Sequence, residues 1–146
     1  MLTNEIERAR RGNGRFTLAF IDIDDMKGLN DRDGHAAGDQ ALRSLVSIMR
    51  ANVRSFDPVV RYGGDEFVCG IGGVGIVDVE RRFGVIDAAL RHELRVGISV
   101  GLAALEGAES LDELTARADA NLLEAKRGRS LAAGRDGNAR VGLMAG

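Results

Sequence analysis

The sequence predicts an α+β domain in which helices cover a central, mainly antiparallel sheet, and three observations lead there. Phe16 to Ile23 is a nearly unbroken apolar run, too short for a typical helix and bounded by turn residues, as a buried central strand is. Two β-prone runs, Pro58 to Tyr62 and Glu66 to Cys69, flank Gly63-Gly64 in the pattern of a hairpin. Segments with the apolar spacing of helices stand before, between and after these strands.

Taken in order, Leu2, Ile6 and Ala9 among charged neighbours predict a short helix that ends before Gly12-Asn13-Gly14. The strand Phe16 to Ile23 follows, then a polar segment from Asp24 to Gly38. Leu42, Leu45, Val46, Met49 and Val53 share one helical face and mark the clearest helix of the chain. In the hairpin, the two glycines can take the positive φ values of a tight turn, which puts Asp65 at the tip. Val79, Phe83, Ile86 and Leu90 mark another helical face, and Val96, Ile98, Val100 and Leu102 alternate as a half-buried strand does. A last helix starts at Ser110, with Glu113 placed to complete a capping box, and should end near Gly128 after Lys126 and Arg127. Residues 1–131 read as one domain, and the Gly- and Ala-rich 132–146 as a flexible tail. No internal repeat is present.

A chain of 146 residues supplies one compact domain with a real core and is short for two. With 20 basic against 22 acidic side chains the formal net charge is −2, too small for a global field that would gather nucleic acid polymer or an anionic membrane. Any phosphate binding must therefore be local. No apolar run is long enough to cross a bilayer, and Met1 to Arg15 lacks the apolar middle of a signal peptide. A cytoplasmic setting is expected. The single cysteine, Cys69, sits in the apolar run Phe67-Val68-Cys69 and reads as a small buried hydrophobe rather than a reactive thiol.

Two acidic clusters carry the chemistry. Asp22, Asp24 and Asp25 close the first strand, and Asp65 and Glu66 follow the hairpin glycines. If strand and hairpin are neighbours in one sheet, the two clusters converge on one edge. Carboxylates from separate elements are what a hard divalent cation takes, together with phosphate and water. Gly63 and Gly64 would let a phosphate approach the backbone. Acids at strand ends also occur simply as solvated groups, so this pattern alone leaves both readings open.

Between the clusters lie Lys27-Gly28-Leu29-Asn30-Asp31 and Gly34-His35-Ala36-Ala37-Gly38-Asp39. Together with Phe20-Ile21-Asp22-Ile23-Asp24, Arg61-Tyr62-Gly63-Gly64-Asp65-Glu66-Phe67, Ile98-Ser99-Val100-Gly101 and Ala118-Asp119 through Ala125-Lys126, this order resembles the GGDEF domains of diguanylate cyclases. The resemblance runs from about Phe16 to Lys126. It implies a nucleotidyl cyclase, palm-like fold with a ferredoxin-like core, and condensation of two GTP into cyclic di-GMP with release of pyrophosphate. It further implies Mg²⁺ or Mn²⁺, two per active site, held by Asp22, Asp65 and the Ile23 carbonyl, with Glu66 supporting metal or base recognition. Asn30 and Asp39 would read the guanine edge, which adenine would leave unpaired. Lys27 and Lys126 would neutralise the triphosphate, with His35, Gly63, Gly64 and Arg129 also placed at GTP. Asp65 is the candidate for taking the hydroxyl proton. Each domain would hold one GTP, so a transient homodimer belongs to the mechanism.

Arg54-Ser55-Phe56-Asp57, five residues ahead of Gly63, matches the RxxD product site of the family, with Arg81 or Arg82 as a second cation. An ordinary helix-end arginine and an Asp before a proline turn make the same pattern. The alternative to an enzyme is a catalytically weak or inactive module that binds GTP or cyclic di-GMP as a receptor. Four departures bear on this. The family's D-x-L-T-x-L-x-N-R-R segment is absent and the chain opens where that helix would end. Asp33 stands where an aromatic is usual, and the stretch from Phe67 to Ser99 is short. Arg127-Gly128-Arg129-Ser130 reaches its arginine one residue early.

Overall fold

The computed structural model describes residues 2–12 and 14–134, with the side chains of 129–134 excepted. The elements are α1 (Leu2–Arg11), β1 (Phe16–Ile23), α2 (Met26–Asp33), α3 (His35–Asn52), β2 (Val59–Arg61), β3 (Glu66–Gly72), α4 (Ile76–Leu94), β4 (Ile98–Ala104) and α5 (Leu111–Gly134). The four strands form one sheet in the order β2-β3-β1-β4, and every neighbouring pair is antiparallel.

β1 is apolar throughout because it is central and covered on both faces. Ala19, Ile21 and Ile23 enter a core with Ala41, Leu45 and Met49 of α3 and Val79, Phe83, Ile86 and Leu90 of α4. Phe16, Leu18 and Phe20 point the other way, toward Ile6 of α1 and Leu114, Ala118 and Leu122 of α5. The strand's period of two thus separates two cores, and full burial of each large aliphatic side chain contributes about 1.5–3 kcal/mol. Gly101 faces α5 so closely that a Cβ there would overlap the Ala118 carbonyl oxygen and the Leu122 amide nitrogen and lie 2.7 Å from the Leu122 Cα. The capping box forms as expected: Glu113 N–H donates to Ser110 Oγ at 3.1 Å, and Ser110 N–H to Glu113 Oε1 at 2.9 Å.

Three local expectations change. The polar segment after β1 contains a helix, α2, which buries only Leu29 and so has almost no apolar period to reveal it. Its start depends on Asp25, at φ 51°, whose carboxylate accepts from the Gly28 N–H at 3.2 Å. The hairpin turn spans Tyr62 to Asp65, and neither Gly63 nor Gly64 has positive φ; the positive-φ glycines among the described residues are Gly34, Gly73 and Gly107. A longer loop removes the twist constraint of a two-residue turn. Arg61 holds the loop instead, donating from Nε to the Gly63 carbonyl at 3.2 Å and from Nη2 to that of Gly64 at 2.6 Å. α5 continues beyond Gly128 to Gly134, since Gly128 is uncrowded and the alanines after it favour helix. The rest of the expected tail, 135–146, lies outside the described residues.

Candidate active site

The site forms where the C-terminal end of β1 meets the β2–β3 hairpin and α5. Asp22 pairs in register with Glu66, and the Ile23 N–H donates to the Asp65 carbonyl at 3.3 Å. The antiparallel register therefore brings the two acidic clusters together, although 43 positions separate Asp22 from Asp65 in the chain (65 − 22). Asp22 is only 5% exposed. Burial raises its carboxyl pKa above 3.8, the hydrogen bond from Lys126 pulls it back, and the charge of Asp65 raises it again. Lys126 is placed by α5 with its ammonium against Asp22 Oδ2. Burial opposes the Lys126 charge, but Asp22, Asp65 and Glu66 outweigh it and leave the pKa above its usual 10.5.

Asp22 Oδ1 is buried and has no hydrogen-bond partner among the described residues. An unsatisfied carboxylate oxygen beside a second carboxylate is a site with a cation-shaped deficit, and oxygen donors suit Mg²⁺ or Mn²⁺. Among the described residues no group of three or more His, Cys, Asp or Glu side chains stands ready to hold a metal alone. The fit is to an ion shared with phosphate and water, which is how Mg²⁺ is commonly bound.

Beside the carboxylates opens a cleft of about 270 Å³ whose lining includes Asn30 from α2, His35 and Asp39 from α3, and Gly64 and Asp65 from the hairpin. Asn30 Oδ1 is also buried without a partner among the described residues. Gly38 makes room for it: a Cβ at 38 would overlap that oxygen and sit 3.0 Å from Asn30 Cγ. An amide and a carboxylate on adjacent helices thus face one cavity with hydrogen-bonding capacity unspent. Lys27 is exposed on the first turn of α2 and does not line this cleft. Gly63 lies against Glu66, where a Cβ would be 3.0 Å from Oε1. The side chain of Arg129 lies outside the described residues.

The Arg54–Asp57 segment is a closed turn. Asp57 Oδ2 accepts from the Arg54 N–H at 2.9 Å, the Asp57 N–H donates to the Arg54 carbonyl at 3.0 Å, and the Arg54 guanidinium donates to the Gly72 carbonyl at 2.5 Å. The same guanidinium lies 5.4 Å from the centre of the Phe56 ring. Arg81 pairs with Asp78 at 2.8 Å on α4, while the charge of Arg82 reaches Cys69 along with those of Asp57 and Arg50. Burial, with Asp57, pushes the Cys69 thiol up to about 12, in keeping with a buried hydrophobe.

Three supporting groups were not singled out by sequence reasoning. Ser99 Oγ donates to Asp24 Oδ1 at 2.6 Å, and the Asp24 N–H donates to the Gly97 carbonyl at 2.9 Å, tying the end of β1 to β4. Asp87 Oδ1 accepts from the Ile98 N–H at 2.8 Å and ties α4 to the same edge. Gly101 sets the depth of α5 and hence the reach of Lys126. The Ile98-Ser99-Val100-Gly101 motif was the available signal for Ser99 and Gly101; nothing in the sequence marked Asp87.

Sheet order and helix placement define a nucleotidyl cyclase palm, a fold shared with solved GGDEF domains. One is the GGDEF domain of DgcB from Caulobacter crescentus in complex with c-di-GMP: TM-score 0.79, 30% identity, 87% of this chain and 81% of that one covered. Another is a microbial GGDEF domain studied with bis-(3,5)-cyclic di-GMP, with TM-score 0.81, 31% identity and coverage of 87% and 82%. Residues 1–130 match the family described as diguanylate cyclase, GGDEF domain, and the chain belongs to that family. It is 36% identical over 133 residues to diguanylate cyclase DgcS of Shewanella oneidensis, covering 86% of this chain and 44% of that protein. It is 34% identical over 136 residues to the response regulator PleD of Caulobacter vibrioides, covering 86% and 30%. The chain therefore spans less than half of these relatives. Among the described residues no helix is long and apolar enough to cross a membrane.

Proposed function

We propose that this chain condenses two GTP molecules into cyclic di-GMP. The observation that carries the reading is the buried Asp22 oxygen left without a partner among the described residues, beside Asp65 and next to a cleft faced by Asn30 and Asp39. Asp22, Asp65 and the Ile23 carbonyl would hold two Mg²⁺ or Mn²⁺ ions, which supply charge stabilisation at the attacking and leaving oxygens. Asn30 and Asp39 bind the guanine edge, and Lys126 turns from Asp22 to the triphosphate when it enters. Lys27, exposed at the start of α2, and Arg129 add positive charge around the phosphates, and Glu66 steadies the carboxylate pair.

The 3′-hydroxyl of one GTP attacks the α-phosphorus of the other. A new P–O bond forms, the bond to the β-phosphate breaks, pyrophosphate leaves, and Asp65 takes the hydroxyl proton. The step occurs twice to close the ring. Each domain holds one GTP, so two copies must face each other and the rate per chain rises with concentration. Product would bind at Arg54 and Asp57, with Arg82 as the second cation in preference to Arg81, which is paired with Asp78, and inhibit.

The test is incubation of concentrated protein with GTP and Mg²⁺, followed by chromatography of the nucleotides. Cyclic di-GMP should appear and should vanish in Asp65→Ala. ATP offered alongside should not be incorporated. A folded protein that makes no product over a range of concentrations overturns the enzyme reading. Calorimetric binding of cyclic di-GMP without turnover, lost in Arg54→Ala, would establish the receptor instead.

A further inference from the structure

A second groove lies outside the nucleotide cleft, on the far side of Leu42. It measures about 550 Å³ and runs between α3 and β2, with a floor of Leu42, Val46, Val59 and Phe67 and a rim of Arg43, Arg50 and Arg61. The three rim arginines are exposed, and none is in an ion pair with a carboxylate among the described residues. In a chain of net charge −2 this is a concentrated positive patch around an apolar floor. Arg43 and Arg50 are seven residues apart on one helix, which spaces them about 10 Å along the groove.

The groove also borders an open strand. β2 is an edge of the sheet. Its ladder to β3 runs through the Pro58 carbonyl, which accepts from the Gly70 N–H at 3.0 Å, and the Tyr62 N–H, which donates to the Glu66 carbonyl at 2.8 Å. By the alternation of an antiparallel pair, the peptide groups of Val59 and Arg61 face away from the sheet. Edges of this kind accept an added strand, whose main chain supplies affinity and whose alternate side chains supply specificity.

We propose that this groove docks an acidic segment of a partner protein in extended conformation, added as a strand to β2. Apolar side chains of the segment settle on Leu42 and Val46 beneath α3. Carboxylates between them meet Arg43, Arg50 and Arg61, and the arginines reject basic strands. The open main-chain edge is what favours a peptide over a nucleotide here. Arg61 also clamps the Gly63 and Gly64 carbonyls, so the occupant lies one residue from the hairpin that carries Asp65.

A fluorescein-labelled decapeptide of alternating glutamate and valine, titrated against the whole chain by anisotropy, provides the test. Saturable binding is expected, weaker by about tenfold in the doubly substituted Arg43→Ala, Arg50→Ala protein and kept in Arg43→Lys, Arg50→Lys. Hydrogen exchange should show new protection at the Val59 and Arg61 amides. Circular dichroism on the variants establishes that they are folded, and both changed residues lie outside the nucleotide cleft, so GTP turnover reports separately on the enzyme reading. No binding, equal binding of a lysine–valine decapeptide, or undiminished binding by the alanine protein overturns the proposal. So does the same exchange protection produced by GMP alone, which would make the groove a nucleotide site. Self-association of the chain that depends on Arg43 and Arg50 would assign it to a second copy and overturn the proposal equally.

Discussion

Replacing Gly101 by alanine is a small change on paper and a large one in this fold. The added carbon would stand 2.7 Å from the Leu122 Cα and closer still to the Ala118 carbonyl oxygen and the Leu122 amide nitrogen. All three are backbone atoms of α5, so no side chain can rotate aside. Ordinary carbon contacts need about 3.5–4.0 Å, so the helix must retreat by roughly 1 Å. That loosens Leu114, Ala118 and Leu122 from Phe16, Leu18 and Phe20. Overpacking of this sort costs about 1–3 kcal/mol, and in a chain of this size about 3–10 °C of Tm. The displacement also acts on chemistry. Lys126 lies one turn beyond Leu122, and a retreat of that size breaks its contact with Asp22. Thermal unfolding and GTP turnover, measured on the same samples below Tm, should both fall, turnover by about tenfold or more if a misplacement near 1 Å acts here as elsewhere. A Gly101→Ala protein with unchanged Tm and turnover would refute the close packing of α5 on β4 and the positioning role that follows from it.

Gly38→Ala should drive the Asn30 carboxamide out of its place, weakening GTP binding about tenfold or more while leaving the bulk of the core intact; calorimetry with GTP and ATP would show discrimination narrowing. Lys126→Met leaves the buried Asp22 carboxylate unpaired. Because Lys126 is 41% exposed, the loss at pH 7 is about 1–2 kcal/mol rather than the 3–5 of a fully buried pair. The pH dependence has a definite sign. The folded-state pKa of Asp22 is already raised, so its proton stabilises the fold in acid, and stability is lost as pH rises through the folded value. Removing Lys126 raises that value further, so denaturation midpoints of variant and wild type should converge as pH falls from 7 toward about 4. Cys69, buried and with its thiol pushed up to about 12, should resist iodoacetamide at pH 8 until the chain is unfolded; prompt labelling of native protein would contradict its placement.

Much of this architecture could be read without coordinates. β1 announced itself because a strand covered on both faces must be apolar on both, and α3 and α4 because each buries a single stripe. The capping box at Ser110 and Glu113 depends on residues three positions apart, so local order sufficed. α2 escaped because it buries only Leu29, and a helix with so little to hide carries no period. The hairpin glycines were read for conformational freedom, whereas the turn is held by Arg61 across its own loop.

For the site, the amino-acid order determined which chemical groups are present: carboxylates after a buried strand, a second pair after a glycine turn, an amide and an acid between them. Their meeting was decided in three dimensions. The pairing of Asp22 with Glu66, the depth of α5 allowed by Gly101, and the space that Gly38 leaves for Asn30 all depend on backbones distant in sequence approaching to within an atom's width. Pattern along a chain reports what a residue's own element hides from water. It cannot report which foreign backbone will stand opposite, because that distance is set by the packing of the whole domain.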